Sequence, residues 1–312
     1  MRACFHEDYE IPLPEGHPFP MRKFSALRDI LRAEGIVGPE ELVEPEEIDW
    51  DDLRLVHDES YLQKLATGTL DRLEERRLGL PWSPALVRRS RLAVQGTLMA
   101  GWNALEDGVA ANLAGGTHHA CPDHGEGFCV LNDVGVAIRI LQREEEIRRA
   151  MVVDLDVHQG NGNAICFAKD PTVFTYSMHG GRNFPMRKPP SDLDVPLEDH
   201  VGDREYLATL EGTLPDAISQ ARPDIVFLLS GVDVVVGDRY GRLALTRDGL
   251  RRREHLAQGI LASAGLPVVL VLSGGYAETP QLTADLHAEA HRAARVVFGG
   301  GPSAPIRNSD DR

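Results

Sequence analysis

Residues 151–162 read MVVDLDVHQGNG. Met151, Val152 and Val153 make an apolar, β-branched run of the kind buried on both faces of a parallel sheet. Beyond it, Asp154, Asp156 and His158 alternate with Leu155 and Val157. At the two-residue period of extended chain, the three polar side chains point the same way. A carboxylate and an imidazole two residues apart can then reach one cation from one strand end. Gly160 and Gly162 allow the tight turn that follows. The alternative is that Asp154 and Asp156 cap the next helix, but two carboxylates beside a buried run are costly without a cation.

Working outward, further apolar runs read as strands at residues 2–5, 109–113, 173–177, 225–229 and 268–272. Helical spacing of apolar residues covers 24–34, 84–105, 132–145, 204–220, 247–264 and 283–297. Strands alternating with helices predict a single α/β domain, an open parallel sheet of doubly wound type with helices on both faces. Residues 1–298 form the expected catalytic domain. The Gly, Pro and Ser-rich stretch 299–312 is expected to be a flexible tail. The polar signals cluster just after strands: AGGTHHA (114–120), DLDVHQGNG (154–162), SGVDVVVGD (230–238) and SGGY (273–276). In open α/β sheets, ligands bind at the carboxyl ends of the strands.

Two Asp and one His leave an open position on a catalytic zinc. Asp233 and Asp238 both follow the run DIVFLLSG, and spacing does not choose between them as third ligand. His118 and His119 could be metal ligands, general bases or satisfied loop histidines. Tyr276 follows Ser273-Gly274-Gly275, where glycines let the backbone approach a ligand. The bland alternative is a core tyrosine.

The 312 residues carry a net charge of -15, which argues against nucleic acid as a direct partner. Such acidity either attracts cationic substrates such as Lys-rich peptides and polyamines or serves solubility alone. No segment has the ~20 apolar residues of a membrane span, and the N-terminal stretch has no apolar signal core. Cys4, Cys121, Cys129 and Cys166 form no C-x-x-C pair, which speaks against a cysteine zinc site. Free thiols point to a reducing compartment, hence the cytoplasm. Lysine occurs only at 23, 64, 169 and 188, an arginine bias that points to a GC-rich bacterial genome.

Taken together, GGTHHA (115–120), GEGFC (125–129), DLDVHQGNG (154–162), DVVVGDRYG (233–241) and SGGY (273–276) resemble the histone deacetylases of the arginase/deacetylase superfamily. HPFPMRKF (17–24) and VHDESYLQKL (56–65) fit as well, and the HQGNG and GDRYG versions look most like the class IV branch. The resemblance implies a zinc-dependent amidohydrolase acting on acetyl-lysine or longer acyl-lysine in a protein or peptide. The alternative substrate is a small acylated amine such as an acetylpolyamine. It implies one zinc on Asp156, His158 and Asp238, with Asp233 in support. His118 and His119 become the catalytic pair, Asp154 backs His118, and Tyr276 polarises the substrate carbonyl. Gly127, Phe128, Phe184, Gly274 and Gly275 would line the substrate channel. A structural potassium would sit at Asp154, Asp156, His158, Ser177 and Met178, and a second near Phe167, Asp170 and Val173. A ureohydrolase of the same fold would carry Asp where Gly160 stands, to bridge a second metal. Asn161 stands where a second backing Asp is more familiar. An Asn cannot favour imidazolium as a carboxylate does, so His119 is expected to be neutral at pH 7 and to act as general base.

Overall fold

The six apolar runs become strands, and two short strands join them at the sheet edges. The computed structural model describes residues 1–299. Among these, the strands are β1 (Ala3–Cys4), β2 (Leu42–Val43), β3 (Val109–Asn112), β4 (Ala150–Asp154), β5 (Val173–Gly180), β6 (Leu193–Leu197), β7 (Ile225–Leu229) and β8 (Val268–Val271). They form one sheet, in the order β2-β1-β3-β8-β7-β4-β5-β6, with every neighbouring pair parallel. The four adjacent strands β3, β8, β7 and β4 are buried at every residue, which is why each reads as an unbroken apolar run. The two strands without such a run are the edges. β2 has two half-buried residues, and β6 carries Pro196 and is largely half-exposed.

The helices are α1 (Lys23–Ala33), α2 (Trp50–Leu53), α3 (Glu59–Thr67), α4 (Arg72–Leu78), α5 (Pro84–Asp107), α6 (Asp133–Arg143), α7 (Asn161–Phe167), α8 (Asp203–Ala221), α9 (Arg247–Ser263) and α10 (Pro280–Phe298). The six long ones match the apolar spacing of the sequence. The short α2, α3, α4 and α7 offer too few turns for a period to register. α5 and α6 pack on each other, with α5 along β3 and β8. α1, α10, α9 and α8 pack in series, with α8 along β4 and β5. Two helical layers thus enclose the sheet, as expected of the α/β class. Ser83 caps α5 by accepting a hydrogen bond from the Leu86 N–H, and Pro84 begins its first turn. Gly108, at φ 85°, ends α5 and turns the chain directly into β3.

No helix among the described residues is long and apolar enough to cross a membrane. Beyond Gly299, the tail expected at 299–312 lies outside the described residues.

Candidate active site

The loops that leave the carboxyl ends of β3, β4, β7 and β8 meet above the centre of the sheet. They carry His118 and His119, Asp156 and His158, Asp233 and Asp238, and Tyr276 respectively. Because the four strands are neighbours, residues far apart in sequence share one small volume.

The loop after β3 is held by a residue that local pattern does not reveal. The buried Asp133 carboxylate, in the first turn of α6, accepts from the Gly116 N–H at 2.9 Å, the Thr117 N–H at 2.8 Å and the Thr97 hydroxyl at 2.5 Å. In sequence it looks like an ordinary acidic residue in a helical first turn. So held, the loop presents both histidines to the cleft, their ring centroids 4.0 Å apart. His118 Nδ1 lies 2.7 Å from Asp154 Oδ2, and His119 Nδ1 lies 2.6 Å from Asn161 Oδ1. Asn161 can only accept there, so Nδ1 of His119 carries the proton and Nε2 is left with its lone pair. Burial, reinforced by the neighbouring His118 and His158, holds His119 well below the ordinary imidazole value. At His118 burial pulls the same way, but the charges of Asp154 and Asp156 outweigh it and lift the group to about 9.

β4 ends at Asp154, so Asp156 and His158 stand on the loop beyond it. Asp154 therefore turns to His118, and a cluster of three donors forms from Asp156, His158 and Asp233, with one ligand atom of each within 4.8 Å of the others. His158 Nδ1 is 3.0 Å from Asp156 Oδ1 and 3.2 Å from Asp233 Oδ2. Asp156 Oδ2 accepts from the Gly274 N–H at 2.6 Å, and Asp233 Oδ1 from the Val157 N–H at 3.0 Å. Asp233 Oδ2 is buried, and apart from the His158 nitrogen 3.2 Å away it meets no donor among the described residues. Burial and the adjacent Asp156 charge push the Asp233 carboxyl upward. A buried carboxylate oxygen whose one neighbouring donor is an imidazole, beside a second carboxylate, is the donor set that a divalent cation fits.

The expected third ligand is therefore corrected. Asp238 is not part of the cluster. The chain turns after β7, with the Asp238 N–H donating to the Val235 carbonyl, and this carries residue 238 past the cleft. Its carboxylate is taken by backbone: Oδ1 accepts from Tyr240 and Gly241 at 2.9 and 3.1 Å, and Oδ2 from the Tyr276 N–H at 2.7 Å. Asp238 thus ties the β7 loop to Tyr276. Asp233, five residues nearer the strand, occupies the position expected of Asp238.

A cavity of about 500 Å³ leads to the cluster, lined by His119, Gly127, Phe128, His158, Phe184, Tyr240 and Tyr276, with Arg76, Arg77 and Glu126 also in its wall. Phe128 and Phe184 are both in its lining. Gly127, at φ 57°, lies so close to His119 that a Cβ would sit 2.7 Å from the ring. Gly274 lines a smaller recess of about 40 Å³ beneath, with Lys23, Phe24 and Arg89. A Cβ there would fall 2.0 Å from Asp233 Oδ2. Gly275 is not among the residues lining either cavity, and a Cβ on it would meet Val232, His287 and Thr283. Tyr240, within the recognised DVVVGDRYG stretch but given no role, meets Tyr276 edge to face at 4.9 Å. Lys23, also unassigned, donates from its buried Nζ to the Ser273 carbonyl at 3.1 Å. Burial pushes the Tyr276 phenol well above its ordinary value, so it stays a donor.

For the potassium site, Asp154 and Ser177 are register partners of β4 and β5, and Met178 follows on β5. The Ser177 hydroxyl lies 3.0 Å from His179 Nδ1. At the second position, Asp170 engages Arg139 and Thr172 through its carboxylate.

A family model described as "Histone deacetylase domain" matches residues 17–292. An uncharacterized protein of Picosynechococcus is 47% identical over 296 residues, covering 95% of this chain and 99% of the relative. Histone deacetylase 2 of Arabidopsis thaliana is 31% identical over 269 residues, covering 83% of this chain and 70% of the relative. The crystal structure of the HDA15 HD domain superposes with a TM-score of 0.78 at 22% identity, covering 96% of this chain and 88% of that one, a likeness of fold.

Proposed function

The chain belongs to the histone deacetylase family, and from that premise we propose that it is a zinc-dependent amidohydrolase that removes acyl groups from the side-chain amine of lysine. The observation that carries this reading is the buried cluster of Asp156, His158 and Asp233 at the inner end of the cavity. Asp156, His158 and Asp233 would hold the metal. When bound, zinc supplies Lewis acidity to the amide carbonyl and lowers the pKa of an attacking water.

The chain's own residues do the rest. Phe128 and Phe184 flank the cavity and suit the apolar methylene stem of a lysine side chain. His119 Nε2, kept neutral by burial and aimed by Asn161, takes the proton of the attacking water. His118, held charged by Asp154, places positive charge beside the developing oxyanion. The Tyr276 hydroxyl donates to that oxyanion, its backbone fixed by Asp238. The imidazolium formed at His119 returns its proton to the leaving amine, so amide and water become carboxylate and ammonium.

The HQGNG and GDRYG motifs support placement in the class IV branch. Asp154, Asp156, His158, Ser177 and Met178 are proposed for a structural potassium, and the Phe167, Asp170 and Val173 region for a second. Four free thiols support the cytoplasm. The test is hydrolysis of acyl-lysine peptides from acetyl to myristoyl, with and without a chelator. Loss of all turnover on chelation, restored by zinc, is the expected result. Full activity in metal-free protein would refute the reading.

A further inference from the structure

The mouth of the cavity is basic, in a chain whose net charge is -15. Arg76 and Arg77 stand in its wall, on the last turn of α4. That helix end is bolted to the channel: the Gly127 N–H donates to the Arg77 carbonyl at 3.2 Å and the Phe128 N–H to the Leu78 carbonyl at 2.8 Å. The Arg239 guanidinium lies 5.8 Å from the ring centre of Tyr240, which also lines the cavity. Other surface arginines divide: Arg54 is matched by Asp51 and Glu59, Arg88 by Asp8 and Glu47 and Arg292 by Glu34 and Asp285, whereas exposed arginines such as Arg32, Arg148 and Arg204 are unmatched among the described residues but do not line this cavity. Among the described residues, Arg76, Arg77 and Arg239 have no carboxylate within ion-pair distance. The nearby acids are occupied: Glu74 by Lys64, Glu126 by His124, and Asp238 by backbone N–H groups. Basic residues at a helix C-terminus complement its dipole, but that accounts for neither the place of Arg76 and Arg77 in the cavity wall nor the third cation beside Tyr240.

We infer that this rim selects substrates carrying a carboxylate within about one residue of the acylated lysine. Arginine is suited to that contact because its planar fork meets a carboxylate through two donors. The inference rests on the deacylase reading and sharpens it, because it disfavours acylated polyamines, whose remaining amines are cationic. The carboxylate can come from an acidic neighbour in a peptide or from the lysine's own α-carboxylate.

The experiment compares kcat/KM for acetyl-lysine peptides flanked by Glu, by Gln or by Lys, with free Nε-acetyl-lysine and N-acetylspermidine as further arms. Exposed pairs are individually weak, so the Glu-flanked peptide should exceed the Lys-flanked one by roughly tenfold, through KM, at low salt. The ratio should shrink to about threefold near ~0.5 M salt, where exposed charges are screened. The Arg76→Glu/Arg77→Glu double variant should invert the Glu-to-Lys ratio, with the Gln-flanked peptide as internal reference. The faster of the Glu-flanked peptide and free Nε-acetyl-lysine identifies the carboxylate source. Equal rates for Glu and Lys flanks, a preference for Lys or acetylspermidine, or a preference that survives the double variant would overturn the inference. If no peptide is hydrolysed by the zinc-loaded protein, the deacylase reading falls and the inference with it.

Discussion

Replacing Asp233 by Asn and Asp238 by Asn separates two carboxylates that lie five residues apart and that spacing alone does not distinguish. The structure gives them opposite duties. Asp233 sends Oδ2 into the three-donor cluster, whereas both oxygens of Asp238 accept from backbone N–H groups. A four-donor structural zinc is bound by about 10–16 kcal/mol, so one donor is worth about 3–4 kcal/mol, or roughly 10²–10³-fold in affinity. Asp233→Asn should therefore lose zinc on dialysis against a weak chelator, and with it turnover. Asp238→Asn should keep zinc at wild-type stoichiometry. There Asn still accepts from Tyr240 and Gly241, but the Tyr276 N–H loses its acceptor, an unpaired donor costing about 1–3 kcal/mol. Tyr276 is then loosened and kcat should fall roughly tenfold. In metal-free protein the order reverses. The Asp233 charge is buried beside Asp156, so Asp233→Asn should raise the melting temperature of the apo form by about 2–4 °C. Metal analysis of dialysed protein, with calorimetry of the apo forms, reads both effects. Full zinc occupancy in Asp233→Asn together with loss in Asp238→Asn would refute the reasoning.

Tyr276→Phe should lower kcat by roughly 10²–10³ with little change in KM, as for loss of an oxyanion donor; an unchanged kcat would remove Tyr276 from the chemistry. Asn161→Asp places a carboxylate on His119 Nδ1 and should raise the His119 pKa by on the order of 1 unit. Since His119 acts neutral, the acidic limb of the pH–rate profile should move upward, and an unmoved limb would contradict its role as base. Asp133→Ala removes the acceptor of Gly116, Thr117 and Thr97 and should cost about 3 kcal/mol of stability, measured by denaturant unfolding. An exposed loop with independent order would instead show almost no loss.

What could be read in the sequence follows burial. β3, β4, β7 and β8 have both faces covered, so their apolar runs stand out, and the polar residues just beyond them mark the site. β2 and β6 are edges, and the half-exposed LDVPL of β6 has no such run. The alternation of polar and apolar residues picked out Asp156 and His158, although β4 ends at Asp154 and both stand on the bend beyond it. It could not rank Asp233 against Asp238, because the chain turns between them and a turn breaks the period. Asp133 was hidden for a related reason. Its donors come from Thr97 and from the loop after β3, a grouping that only the folded chain creates. Gly275 shares the SGGY motif with Gly274, yet a Cβ on Gly274 would meet Asp233 and Asp156 while one on Gly275 would meet Val232 and His287.

The most direct test of the metal centre is an anomalous-difference map recorded at the zinc absorption edge from crystals of the zinc-loaded protein. The account predicts one peak per chain at the inner end of the cavity, about 2.0–2.2 Å from donor atoms of Asp156, His158 and Asp233. A peak bound by Asp238 instead of Asp233, or no peak at this cluster, would contradict it.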